Sequence, residues 1–474
     1  LGSAQDQNAW SEGNQWTINS FFSRVNYTFA NKYVIEGTIR ADGSSRFDPD
    51  HRWGWFPGVN AAWRVGEEGF MKRLGWFEDL KVRASYGEMG NQSGIGLYDY
   101  IQLISLSNDY YPFGTGVKGQ MATSGNIIST SRTWETIQTT NVGFDFSTLN
   151  NRLYGSFDYF WKENKNMLIP KTYPSMLGAD APSTNSGHLS IHGWEISLGW
   201  RDQIKDFSYS VRFNISDAKN KVVDRVGSNL IQLGNNETPT GYPLNSYFGY
   251  EFDGIIQNEQ ELEAYKSRFS EGGIPGDLSV GDAMYKDLDG DGKLSVLGDG
   301  KEGSGDVKYL GDKNPRYNFG FNLSMAWKGF DLSAFIQGVG RRTMFLEGES
   351  RCPMPEAWYQ SAEYWYGKTW TPERTDAQYP AITLKDKRNY NYYVSTNTKF
   401  NVAYARLKNL QFGYTIPQTL TSKAGLQKVR VYFSGEDLFE VHNTPNGWDP
   451  EENSGSITSY PFTRNYSFGI NVVF

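Results

Sequence analysis

From Asn465 to Phe474 (NYSFGINVVF) apolar and polar residues change places at almost every step. Tyr466, Phe468, Ile470, Val472 and Phe474 share one face; Asn465, Ser467, Gly469, Asn471 and Val473 share the other. A period of two belongs to a β-strand, whose side chains point alternately to opposite sides of a sheet. Here one face is wholly apolar and the other mostly small or polar. A soluble protein has little use for an apolar strand that ends on a phenylalanine carboxylate. An outer-membrane barrel needs such a strand, apolar towards lipid and polar towards the lumen.

The same alternation recurs along the chain. Val25/Tyr27/Phe29 precedes a turn at Ala30–Lys32, then Tyr33/Ile35/Ile39 runs opposite Glu36/Thr38/Arg40. Val142/Phe144/Phe146, Trp194/Ile196/Leu198/Trp200 and Tyr317/Phe319/Phe321/Leu323/Met325/Trp327 repeat the pattern. Trp and Tyr often stand at strand ends, where a barrel carries its aromatic girdles. A mean hydropathy of -0.58 and only 38% hydrophobic residues fit such a barrel, because every second residue is polar. No window approaches the roughly 18 apolar residues of a membrane helix. The net charge of -7 argues against a nucleic-acid partner. One cysteine, Cys352, excludes an intrachain disulfide framework, and four histidines make a multi-histidine metal site a poor fit. Leu1–Gly2–Ser3 is not a start, so the sequence reads as part of a longer chain.

Connections alternate between short and long. Short ones lie near 30–32, 149–152, 201–206, 328–330 and 417–427. Long ones lie near 43–52, 91–133, 165–187, 219–314, 343–399 and 443–460. Outer-membrane barrels have short periplasmic turns and long extracellular loops, which sends Phe474 to the periplasmic rim. The turns at 201–206 and 328–330 are both short, so 219–314 is one extracellular excursion. Asn245–Ile256 therefore cannot be a lone spanning strand, and Glu259–Phe269 reads as a helix within the excursion. The expectation is an all-β, antiparallel transmembrane barrel domain over 1–474 with about thirteen spanning strands. An odd count in a class of even-numbered barrels predicts further strands before residue 1.

At this point the chain resembles SusC-like TonB-dependent outer-membrane transporters. The resemblance rests on FFSRVNYTFANKYVIEGTIRADGSSRF (21–47), RWGWFPGVNAAWRV (52–65), LKVRASYGEMGNQ (80–92), WETIQTTNVGFDFSTLNNRLYGSFDYFWKENKNML (134–168), YFGYEFDGIIQN (247–258), YKDLDGDGK (285–293), NPRYNFGFNLSMAWKGFDLSAFIQGVGRR (314–342), YARLKNLQFGYTIP (404–417) and YFSGEDLFE (432–440). These stretches occur in the family's order and span nearly the whole chain. The resemblance implies the C-terminal majority of a 22-stranded barrel filled by a plug. It implies import of an oligosaccharide, or of a peptide, powered through the TonB complex, with a SusD-like surface lipoprotein as partner. The plug, the TonB box and the first strands have no counterpart in this sequence.

Two clusters are candidates for chemistry. Asp287, Asp289 and Asp291 with Gly292 match the first half of a calcium loop, and Lys293 offers a carbonyl. Position twelve is Gly298, so Asp299 or Asp306 would have to complete a Ca²⁺ shell; the plain alternative is an acidic turn. The second cluster is aromatic: Trp358, Tyr359, Tyr364, Trp365, Tyr366, Trp370, Tyr390, Tyr392 and Tyr393, in the 343–399 excursion. Flat rings with polar edges suit a sugar or a partner protein, and equally suit packing the loop against itself. Trp358, Tyr359, Trp365, Tyr366 and Trp370 are the candidates for ligand or partner contact. Tyr242, Tyr247 and Tyr250 invite the same two readings. Glu36, Arg40, Asp145, Asp158, Glu195, Arg201, Arg212 and Gln337 are expected to face the lumen. No acid pair or Ser/His/Asp arrangement is marked out by spacing, so no enzyme is expected. A soluble β-rich glycan-binding or glycan-hydrolysing protein and a passive porin are the competing classes.

Overall fold

In the computed structural model the described residues are 11, 13–107, 112–113, 117–118, 121–125, 127–170, 176, 182–225, 234, 238–297, 305–355, 360–383, 386–452, 455, 460 and 462–474. Thirteen alternating segments pair into a single antiparallel sheet. They are β1 (Ile18–Phe29), β2 (Tyr33–Ser44), β3 (Trp53–Trp63), β4 (Asp79–Asn91), β5 (Glu135–Thr148), β6 (Leu153–Pro170), β7 (Ser183–Ile204), β8 (Phe207–Arg225), β9 (Arg316–Trp327), β10 (Phe330–Arg341), β11 (Tyr404–Thr415), β12 (Lys428–His442) and β13 (Asn465–Val473). Each bonds to the next in chain order, with β1 and β13 at the edges.

The register keeps like faces together. Phe144, Phe157, Ile196, Ile215 and Phe319 form one cross-strand row from β5 to β9. One residue along, Asp145, Ser156, Ser197, Asn214, Gly320, Gln337 and Arg406 form a row on the opposite face from β5 to β11. A slip of one residue would exchange the two rows, so the pattern itself fixes the register. The apolar face is not a core: Phe21 is 68% exposed and Phe468 85%. It is a face for lipid.

Tight turns close the short-loop end. Ala30 and Asn31, and again Lys328 and Gly329, all have positive φ. Two such residues make the hairpin turn whose twist matches the flanking strands. At the same end Glu68 gathers the girdle: Lys32 Nζ donates to it at 2.9 Å, the Tyr33 hydroxyl at 2.7 Å and Trp63 Nε1 at 3.2 Å.

At the long-loop end the strands reach further than alternation suggests. β6, β7 and β8 have 18, 22 and 19 residues, beyond the 9–11 a membrane needs. The expected loops at 165–187 and 219–314 therefore begin too early. β-Bulges between Asn164 and Met167 and between His188 and Leu189 break the period of two and hide the continuation. The turn expected at 201–206 shrinks to Lys205–Asp206, because β7 runs to Ile204. Asn245–Ile256 is, as expected, outside the wall. Ser246–Tyr250 pairs with Val307–Asp312, and Phe252–Ile255 with Ala283–Tyr285. The expected helix is present as α1 (Glu259–Lys266). Asn258 caps it by accepting from Glu261 N–H at 2.9 Å, and Glu261 reaches back to Gln257 N–H at 2.9 Å.

In the full-length protein, Phe468→Arg should cost about 2–4 kcal/mol near mid-membrane and abolish the folded, heat-modifiable species on a gel. Ser467→Arg, on the opposite face of the same strand, should leave that species in place. Equal loss for both would contradict the assignment of faces.

Candidate functional site

The inner face of the wall carries tethered charge. Glu36 holds Arg24 in an ion pair and accepts from Asn26 at 3.0 Å and Asn60 at 3.3 Å. Arg83 bridges β5 and β6, 3.1 Å from Asp145 and 2.5 Å from Asp158, while Lys81 Nζ lies 2.7 Å from Asp145. Asn26, Glu36, Asn60, Lys81 and Arg83 line a recess of about 430 Å³. Near the short-loop rim, Arg152, Arg201, Asp202, Ser208, Ser210 and Ser324 border a second recess of about 690 Å³. Arg430 pairs with Asp331 and reaches Gln411 at 3.0 Å. Side chains fixed by their neighbours form a rigid hydrogen-bonding lining.

The long loops fold into two bodies. In the first, Phe47, Phe56, Ile95 and Trp134 pack together. In the second, three excursions share their interior. Tyr265 on α1 accepts the Tyr285 N–H at 2.9 Å and shares a 2.8 Å hydrogen bond with the Tyr390 hydroxyl. The Tyr285 hydroxyl donates to the Tyr390 carbonyl at 2.9 Å. Asn391 binds Asp282 and the Ala283 N–H, both at 2.9 Å. Burial pushes the Tyr265, Tyr285 and Tyr390 hydroxyls above the ordinary tyrosine range, so they act as neutral groups. Trp448, from the last connection, enters the cluster of Tyr364, Trp365, Tyr379 and Tyr392. Arg342 Nη2 donates to the Pro450 carbonyl at 2.6 Å.

Arg406 joins this body to the wall. It is 0% exposed, 2.8 Å from Glu440 and 3.0 Å from Asp449, with the Phe462 ring 4.1 Å away. Alternation marks Arg406 as inward-facing, but nothing in its neighbourhood along the chain shows that Asp449 and Phe462 come to lie against it. The same holds for Glu251, which pairs with Lys286 at 2.7 Å and with Lys308, tying the two ribbons of the excursion.

The aromatic candidates divide. Trp365 is 2% exposed, its ring against Tyr379 and Tyr392, so it is core rather than contact surface. Tyr364, Tyr390 and Tyr392 are likewise interior, as are Tyr247 and Tyr250. Trp370 is half-buried, its Nε1 donating to Gln257 at 3.0 Å. Tyr366 is 90% exposed. Trp358 and Tyr359 lie outside the described residues.

The acidic loop brings together Asp287, Asp289 and Asp306, with ligand oxygens within 4.8 Å of one another. Asp291 is turned to the Lys293 N–H at 2.7 Å and does not join them. Asp299 lies outside the described residues. All six oxygens of the trio accept backbone N–H groups, from Gly290, Gly292, Asp291, Gly305, Leu288 and Ser295. Burial raises the Asp306 carboxyl, and the neighbouring acids add to that push against its hydrogen bonds. Each oxygen keeps a second lone pair, so the trio can meet a cation while holding the turn.

Two predictions test this body. The Lys286 and Lys308 hydrogen bonds hold Glu251 at about 2, below its ordinary value of 4.5. A depressed folded value means the tie stabilises above about 4.5 and is lost as pH falls towards 2. Proteolytic protection of the excursion should weaken across that window, and Glu251→Gln should remove this part of the pH dependence. Asp287→Ala strands two backbone N–H groups and should cost about 1–3 kcal/mol, read as faster proteolysis near 287–306. Melting that is unmoved between millimolar calcium and a chelator would leave the hydrogen bonds as the whole of the site.

The comparisons agree with this architecture. Residues 2–438 match the family model described as "TonB dependent receptor-like, beta-barrel". TonB-dependent receptor P3 of Formosa agariphila is 32% identical over 97% of this chain and 46% of its own length. TonB-dependent receptor SusC of Bacteroides thetaiotaomicron is 27% identical over 99% of this chain and 45% of its own. The chain thus spans about half the length of the curated relatives it matches. Among solved structures, the RagAB peptide transporter superposes with a TM-score of 0.77 at 23% identity, covering 96% of this chain and 48% of that one. That likeness establishes the fold. The chain belongs to the TonB-dependent receptor β-barrel family and is an outer-membrane barrel wall of the SusC-like kind.

Proposed function

We propose that this wall serves TonB-dependent uptake of an oligosaccharide, with a SusD-like surface lipoprotein handing cargo to the extracellular mouth. The observation that carries the reading is the inner face. Its row of Asp145, Ser156, Ser197, Asn214 and Gln337 offers carboxylate, hydroxyl and amide hydrogen-bonding groups at one level of the wall. A polyhydroxylated solute exchanges its water for such groups at little cost, whereas an apolar solute gains nothing from them. Exposed Tyr366 and half-buried Trp370 offer ring faces at the outer side for stacking on a sugar. The relative named TonB-dependent receptor SusC supports the TonB-dependent part of this reading. A peptide is the second reading, favoured by the likeness to the RagAB peptide transporter. The acidic trio of Asp287, Asp289 and Asp306 has a structural part in this scheme.

The test uses the full-length protein with its lipoprotein in cells. Labelled oligosaccharides should accumulate in a TonB-dependent way, and labelled oligopeptides should not. Trp370→Ala with Tyr366→Ala should weaken sugar binding by about thirtyfold or more while leaving the folded species intact, given about 1–3 kcal/mol per stacked ring. Peptide uptake without sugar uptake would reverse the assignment.

A further inference from the structure

On the outer face of β8 cations replace apolar residues near the long-loop end. On β8 the lipid-facing residues run Phe207, Tyr209, Val211, Phe213 and Ile215, then Asp217, Lys219 and Lys221. Pairing places Trp161, His192 and Lys219 in one row, and Glu163, Ser190 and Lys221 in the next. Tryptophans such as Trp161 and Trp194 mark the membrane–water interface. Lys219 stands four residues beyond Ile215, about 13 Å along the strand and about 9 Å in height at a 45° tilt. That is the level of the lipid headgroups.

The anions of this patch are largely occupied. Glu163 takes a 2.6 Å contact from His188 Nε2 and a 2.7 Å hydrogen bond from the Ser190 hydroxyl. Asp217 is bound by Arg316 through two hydrogen bonds. Asp224, opposite His188 above the bulge, is the remaining carboxylate. Lys219, Lys221 and His192 are exposed, and Lys165 stands exposed on β6 beside them. The upper outer face elsewhere has a different character: Trp53 and Trp55 on β3, Glu88 beside Gln138 on β4 and β5, Val441 on β12. Among the described outer-face positions, exposed lysines gather in the sector from β6 to β8.

We propose that this sector binds the phosphate headgroup of an anionic outer-leaflet lipid, with Lys219 and Lys221 as its principal contacts. The site continues the lipid-facing band directly: acyl chains lie on Phe213, Ile215, Trp194 and Trp161 while the phosphates meet the ammonium groups. Lysine is suited to this position because its apolar stem lies along the wall and its charge reaches the interface. The inference depends on the membrane placement of the wall and not on the identity of the cargo.

The test is native mass spectrometry of the full-length protein released from phosphatidylcholine nanodiscs. These would carry a minor fraction of phosphatidylglycerol or of a diphosphorylated glucosamine lipid. The wild type should retain the phosphorylated lipid. Lys219→Gln with Lys221→Gln should lower its affinity roughly thirtyfold at low salt, at about fivefold per lysine. Lys219→Arg with Lys221→Arg should keep it. Raised salt should release lipid from the wild type more than from the glutamine variant. Equal retention by wild type and glutamine variant overturns the proposal. So does complete displacement by millimolar inorganic phosphate, which would make the site one for a free anion. Heat-modifiable migration confirms folding, and cargo uptake, expected unchanged, separates this result from the transport reading.

Discussion

A backbone N–H or C=O without a partner costs several kcal/mol in hydrocarbon, and water is not there to supply one. Every strand of the wall must therefore bond to a neighbour along its whole spanning length. The simplest order that does so is the one observed, each strand beside its successor. That order in turn fixes the faces. Once Phe157 pairs with Ile196 and Asp158 with Glu195, lipid-facing and lumen-facing chemistry are separated along both strands.

The extracellular end obeys a different constraint. There water is available, and the strands pass into excursions held by ordinary burial. Tyrosines do much of this, because a tyrosine fills space like phenylalanine and still offers a hydroxyl. Tyr265, Tyr285 and Tyr390 use that hydroxyl to join segments more than 100 residues apart. Arg406 links the body to the wall by a different means, a wholly buried guanidinium shared among carboxylates from β12 and the last connection. Such a hub contributes geometry more than net stability, since its desolvation offsets much of its attraction.

Short-range physics was legible in the sequence. The alternation of Tyr317 to Trp327, the Lys328–Gly329 turn and the parity of loop lengths gave the wall and its direction without a structure. Where a bulge inserted one residue, as near His188, the period broke and the strand was read as ending early. The candidate site was less legible, because its geometry is made by long-range contact. Nothing near Trp365 distinguishes a ring that packs from a ring that binds, until Tyr379 and Tyr392 are seen against it. Asp306 likewise joins Asp287 and Asp289 from beyond the local motif, while Asp291, one turn position along, does not.

The shared interior of the three large excursions bears on how such a surface can change over time. Tyr265 and Tyr285 of one connection pack with Tyr390 of a second, and Trp448 of a third packs with Tyr364, Trp365, Tyr379 and Tyr392 of the second, so the packing ties the three together. A substitution at one of them is tolerated only with a matching change in another connection. Free variation is left to positions such as Tyr366, which point away from that interior. Adaptation to a new cargo would thus proceed by repainting the outside of a shared core, with residues 265, 285 and 390 changing together or not at all.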